Sequence, residues 1–264
     1  MCREAVEPAR MQRIFKLYEE KTGNTLDLQG IESSNFETVC QLKFQTGDIP
    51  DLFLHQGGYS LDAYDPEKNF YDFSNTDWVS DVVDSVLPST MRNGKVYGLP
   101  YWEASWSGLL YNKTLFKNLG LEVPTTQEEF DVVCDALLAK GVTPIFLAAK
   151  ESWPILYQYG MDPIFKDGDL LNNLNTNQTT YAQIPQMRSM LEWFQTAAQK
   201  GYFGKTYATD TWDYINEVLG EGEAAMVFCW DTWLYSDYDN DSYTYKIEDF
   251  GLMPAFMMAF SSSS

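Results

Sequence analysis

Basic residues are scarce in this chain: 18 Lys and Arg stand against 38 Asp and Glu in 264 residues, a formal net charge of −20. So acidic a surface repels phosphate backbones and anionic headgroups, which excludes nucleic-acid binding and electrostatic attachment to a membrane. Histidine is scarcer still, at one residue, His55. The four cysteines, Cys2, Cys40, Cys134 and Cys229, form no CxxC pair, so a zinc site lacks ligands at usable spacing. Any Ser-His-Asp arrangement would rest on His55 alone, and no GxSxG turn surrounds a serine. No GxGxxG or phosphate loop occurs, so nucleotide use has no support. Long apolar runs are missing too; stretches such as residues 144–149 are far too short to span a bilayer. No signal peptide is recognisable: Cys2 follows Met1 directly, without the apolar segment that precedes a lipidated cysteine.

What is abundant is aromatic. Trp, Tyr and Phe number 8, 17 and 16 and make up 16% of the chain, with 45% hydrophobic and 21% charged residues. That is the balance of a globular protein and excludes intrinsic disorder. At this length about three quarters of the unfolded surface can be buried, in one large domain or two small ones.

The apolar periodicity predicts a helix over residues 8–21, with Met11, Ile14, Phe15 and Tyr18 on one face, and a strand over 25–29. A second helix is expected from Ser34, with a capping box to Glu37 and a stripe of Phe36, Val39, Cys40 and Phe44. A buried strand is expected at 51–55, then strands near 96–101, 108–111, 144–148 and 224–229. Helices fall at about 126–139, 184–200 and 211–219, and the Asn/Thr/Asp-rich run between 166 and 181 reads as loop. Alternation of strand and helix with short Gly-marked connections is the α/β pattern. Cys40 and Cys134 fall on apolar helix faces, as buried free thiols do.

No enzymatic constellation stands out. A Glu/Asp glycosidase pair is not excluded, but 38 acidic residues make chance pairs almost certain. Asp237, Asp239, Asp241 and Glu248 match positions 1, 3, 5 and 12 of an EF-hand calcium loop, yet Ser242 stands where that loop needs Gly; a solvated acidic loop is the simpler reading. More informative are aromatics outside the core periodicities. Trp102 and Trp106 flank Glu103, Trp153 and Tyr157 follow the strand at 144–148, and Trp230 and Trp233 flank Asp231 after the strand at 224–229. Each group lies at the carboxyl end of an expected strand, which is where open α/β sheets place their ligands. Indole faces stack on the C–H surface of a pyranose while a neighbouring carboxylate accepts its hydroxyl hydrogen bonds.

Six segments in register resemble the extracellular solute-binding proteins of ABC sugar importers, the cluster that includes maltodextrin-binding proteins. They are FKLYEEKTGN (15–24), FQTGDIPDLF (44–53), NGKVYGLPYWEASWSGLLYN (93–112), LGLEVPTTQEEF (119–130), EGEAAM (221–226) and FGLMP (250–254). The resemblance implies a periplasmic-binding-protein-like type II fold: two α/β lobes joined by a hinge and closing over a ligand. It places a first lobe at 1–107, a second at 108–256 and a tail at 257–264. It further implies that the first lobe lacks its opening strand and its returning segment.

By the same resemblance His55, Gln56 and Tyr59 come from the first lobe, Glu103 and Trp106 from the crossover, and Trp153, Trp230, Asp231 and Trp233 from the second. The turn at Trp230 departs from the family pattern, with Trp where Gly is usual and Trp233 one residue late. The function expected is binding of a neutral sugar or oligosaccharide, without cofactor or turnover, by a monomer that delivers it to an ABC permease. The setting expected is extracellular, periplasmic or lipid-anchored. A carbohydrate-active enzyme or surface lectin using the same groups, or a non-functional fragment, is the alternative.

Overall fold

The computed structural model describes residues 2–4, 9–84, 86–101, 107–151, 153–156, 168–236, 238 and 241–255. Two compact units divide the chain, Met1–Ala104 and Ser105–Ser264.

In the first unit a short strand β1 (Cys2–Glu4) precedes helix α1 (Ala9–Thr22) and runs parallel to β2 (Gln29–Ile31), pairing Cys2 with Gln29 and Glu4 with Ile31. This corrects the expectation of a first lobe without an opening strand; the tripeptide CRE has no apolar alternation to mark it. The strand expected at 25–29 falls instead at β2. On α1 Phe15 is buried, whereas Ile14 is 53% and Tyr18 37% exposed, so the expected stripe contributes less than its spacing promised.

Helix α2 (Ser33–Thr46) buries Phe36 and Cys40 and ends on Gly47. Its N-cap is Glu32, with no side-chain capping bond. Ser34, expected at the N-cap, lies inside the helix instead, and the Glu37 carboxylate is engaged by His55 and Tyr64. Phe44, Phe53 and Phe70 pack around Phe36, Cys40 and Tyr64 to complete this small core. The strand expected at 51–55 shrinks to a single bridge at Phe53; a 3-10 segment (Gly58–Tyr64) and helix α3 (Pro66–Asn69) follow. Strands β3 (Met91–Arg92) and β4 (Lys95–Val96) form a hairpin over Asn93 (φ 51°) and Gly94 (φ 77°). Both turn residues take the positive φ that a two-residue hairpin of matching twist requires.

The second unit is built on one mixed sheet in the order β6-β7-β5-β8: β6 (Thr143–Phe146), β7 (Ala224–Trp230), β5 (Ser107–Asn112) and β8 (Phe250–Met253). β7 runs parallel to β6 and antiparallel to β5. Residues 224–229 of β7 are fully buried, as a central strand covered on both faces demands. One face packs with α4 (Lys113–Leu119), α5 (Gln127–Ala139) and a long helix, Pro185–Lys200, through Phe130, Cys134, Leu137, Met187, Met190 and Phe194. Thr126 caps α5 by accepting from Glu129 N at 3.2 Å.

Between β6 and that long helix lie α6 (Trp153–Leu156) and α7 (Gly168–Asn175), so the helix at Pro185–Lys200 is α8. The run from 166 to 181 thus holds a helix where loop was expected. Leu170 and Leu174, four residues apart, pack against the core and outweigh the polar composition. A 3-10 turn (Trp212–Tyr214) leads into α9 (Ile215–Gly220), and α10 (Trp233–Ser236) follows β7. The opposite face of the sheet buries Ile215, Leu219, Trp233, Leu234, Tyr238 and Phe250. Among the described residues no helix is long and apolar enough to cross a membrane.

Candidate functional site

Because β6 and β7 are parallel neighbours, their carboxyl ends deliver two segments to the same edge of the sheet. The chain leaving β6 is stitched to the turn before α9 by its backbone: Ala149 N donates to Tyr207 O at 3.0 Å and Lys150 N to Asp210 O at 3.3 Å. Three indoles gather there. Trp153 and Trp212 lie 4.8 Å apart, inclined at 57°. Trp212 and Trp230 stack at 5.8 Å with 15° between planes. Trp153 is 36% exposed, while Trp212 and Trp230 are half-buried. The Trp230 Nε1 atom is buried with no acceptor among the described residues.

Beneath this tier sits Glu151, only 6% exposed. Its Oε1 accepts from Trp212 N and its Oε2 from Trp153 Nε1, both at 3.1 Å. Burial pushes its carboxyl above the usual range; the two donated hydrogen bonds oppose that, Asp213 adds to it and Lys150 lessens it. The arrangement offers flat apolar faces held by a carboxylate.

Trp153, Trp230 and Asp231, expected as ligand contacts, therefore cluster at one edge; Asp231 Oδ1 accepts from Thr232 N at 2.9 Å. Trp233 turns into the core, 1% exposed and 5.6 Å from the Tyr238 ring. Two residues of the cluster were not foreseen. Trp212 opens what reads as an ordinary helix, and Glu151 lies two positions before Trp153. The Trp-beside-carboxylate pattern noticed at Glu103 and Asp231 also holds at Glu151 and would have found it.

Glu103 and Trp106 lie outside the described residues, as do Asp237 and Asp239 of the proposed calcium loop. Asp241 falls in a turn and Glu248 in a 3-10 segment (Ile247–Asp249). Among the described residues no three potential ligands gather to hold a metal ion.

In the first unit the His55 ring is enclosed, its side chain 2% exposed. Phe36 stacks on it at 5.6 Å, and Phe53 and Tyr64 approach within 4.9 and 4.8 Å. Nε2 lies 2.7 Å from Glu37 Oε1 and Nδ1 2.8 Å from Gln56 O, while Tyr64 OH donates to Glu37 Oε2 at 2.8 Å. Gln56 is exposed. Tyr59 is 78% exposed, with the Arg92 guanidinium 5.5 Å from its ring centre.

Comparison with known proteins agrees with this α/β architecture. A chitin oligosaccharide binding protein superposes with a TM-score of 0.77 at 21% identity, covering 96% of this chain and 66% of that one. A sugar transporter protein from Bacillus licheniformis, solved with stachyose, gives 0.64 at 20% identity over 92% and 63%. Both share its periplasmic-binding-protein-like fold. Among curated proteins, the multiple sugar-binding protein of Streptococcus mutans is 28% identical over 148 residues, 56% of this chain and 35% of the relative. The chain spans roughly a third to a little over half the length of the first curated relatives it matches. The family model described as "Bacterial extracellular solute-binding protein" matches residues 13–258, nearly the whole chain, and the chain belongs to that family.

Proposed function

We propose that this protein binds a neutral sugar or oligosaccharide without chemical turnover and delivers it to the permease of an ABC importer. The observation that carries the reading is the tier of Trp153, Trp212 and Trp230 held by Glu151 at the carboxyl ends of β6 and β7. Indole faces match the C–H faces of a pyranose, and hydroxyls around the ring find their acceptors among nearby carboxylates such as Asp231. The family's extracellular setting and the sugars in its relatives' names support the same reading. The protein then acts outside the cytoplasm, as a monomer, in periplasmic or lipid-anchored form.

Titration of the purified chain with raffinose, stachyose, xylo-oligosaccharides and chitin oligosaccharides, followed by tryptophan fluorescence and calorimetry, tests this. A saturable change for at least one sugar is expected, insensitive to moderate salt because the ligand is uncharged. Chromatography should recover the sugar intact, which separates binding from hydrolysis. No saturable response across the panel, in a sample with a cooperative unfolding transition, would refute the proposal.

A further inference from the structure

Glu151 presents a problem of its own. A carboxylate at 6% exposure is costly to bury, and neither of its oxygens is left to solvent alone. One receives a backbone N–H and the other an indole N–H, from segments 61 residues apart and from its own turn. Trp153 and Trp212 also pack on one another, and Trp212 against the core on that face of the sheet, so Glu151 acts on rings that are already gathered. Trp153 opens α6, a four-residue helix too short to hold a ring in place by itself. Trp212 opens a three-residue 3-10 turn whose N-cap, Thr211, makes no side-chain capping bond. Glu151 supplies that cap from elsewhere in the chain, its negative oxygen facing the N-terminal end of the turn. The backbone bonds at Ala149 and Lys150 bring the two segments together, and Glu151 adds one bond from the Trp153 ring nitrogen and one from the Trp212 backbone.

We infer that Glu151 is a positioning residue: by anchoring Trp153 and Trp212 on its two oxygens it sets the ring geometry on which the ligand stacks. The inference rests on the sugar-binding reading for its functional consequence, though not for the anchoring itself.

The chemistry of the partners makes the residue type specific. Both are donors, so the anchor must accept twice. Glutamine has the same shape but presents one carbonyl and one NH2, which sets a donor against a donor at one of the two contacts. Protonation weakens the anchor similarly by removing the charge that strengthens both bonds. Burial pushes this carboxyl upward, and the charged groups acting on it are Asp213, which adds to the rise, and Lys150, which lessens it. Ring geometry and affinity should therefore loosen on mild acidification, above the range where ordinary exposed carboxylates titrate.

The test uses the full chain, with raffinose and stachyose as probes. Glu151→Gln is compared with the unaltered protein by the far-ultraviolet exciton signal of the coupled indoles, recorded without sugar, and by calorimetric titration across pH. Glu151→Gln should reduce the exciton signal, weaken the sugar about tenfold, as expected for one lost charge-assisted bond, and abolish the acid dependence of both readouts. Trp153→Phe removes the donor from the other side and keeps an aromatic face. Because it also deletes one of the coupled indoles, it is read by the acid dependence of sugar affinity alone, which should shrink as it does in Glu151→Gln, and this readout carries the test if Glu151→Gln does not fold. An exciton signal and a pH profile unchanged in a folded Glu151→Gln protein would overturn the inference. A changed exciton signal with no binding of either sugar to the unaltered protein would uphold the anchoring and count against the sugar reading instead.

Discussion

Removal of the middle ring of the tryptophan tier by Trp212→Ala gives the most direct check on the site. The substitution keeps the backbone N–H that Glu151 accepts, so the measured effect is that of the ring. Two ring pairs are lost, at 4.8 and 5.8 Å, each worth roughly 0.5–1.5 kcal/mol beyond the area it buries. The indole is only half-buried, so its area term is about 1–2 kcal/mol, below the ~3–5 of a fully enclosed tryptophan. The sum, about 2–5 kcal/mol, lowers the unfolding midpoint of a unit this size by several degrees, at roughly 2–4 °C per kcal/mol. Thermal unfolding followed by circular dichroism reads that loss, and Tyr235→Ala, at a side chain 79% exposed, serves as a control expected to move it little. Calorimetry with the best-binding sugar of the panel then reads the functional half. A Tm within a degree of the unaltered protein would show that the rings are not packed as described. A normal Tm loss with unchanged affinity would show that the tier is structural and that the ligand lies elsewhere.

Further tests address the rest of the molecule. A methyl at Gly220 would collide with the Tyr243 ring, so Gly220→Ala should cost about 1–3 kcal/mol, and adding Tyr243→Ala should recover much of it in urea unfolding; an additive double variant would contradict the close approach. His55→Ala should destabilise the first unit by about 2–3 kcal/mol through lost aromatic packing and the stranded Glu37–Tyr64 pair, seen as faster amide exchange at Phe36 and Cys40. Thr114 donates to Asp249 at 2.5 Å, and this bond, followed by the one from Lys246 N, holds the Asp249 carboxyl below its usual range. A depressed folded value contributes stability above the unfolded pKa that is lost as pH falls through the folded one. Thr114→Val should therefore raise the Asp249 pKa, read by carbon NMR titration, and flatten the acid limb of the stability curve below about pH 4.

Helices were legible in the sequence where their own side chains built the core. Met187, Met190 and Phe194 marked α8 because helical spacing and burial coincide there. Helix α7 was missed because its signal is two leucines amid Asn and Asp, decisive only once a neighbouring core is present. β1 and β2 are three residues each, too short for an alternating pattern; their pairing partner defines them. At the site, Trp153 and Trp230 stood out by type and by position after strands. Trp212 did not, since it reaches the tier through a turn that only the backbone stitching to the end of β6 brings near. Glu151 was obscured by abundance, because in so acidic a chain a carboxylate becomes informative only when its burial and partners are known.

The strand order of the second unit also has a bearing on how the chain comes to be folded. β5 lies between β7 and β8, and its register joins Ser107 to Trp230 and Asn112 to Phe250. Both partners are synthesised well over a hundred residues after β5 itself. At the ribosomal rate of ~5–20 residues per second, the apolar segment SGLLYN waits on the order of ten seconds for any strand to pair with. Closure of so distant a contact also slows folding after release. The nascent chain thus has a built-in delay before its central sheet can close, during which this apolar segment is exposed to aggregation.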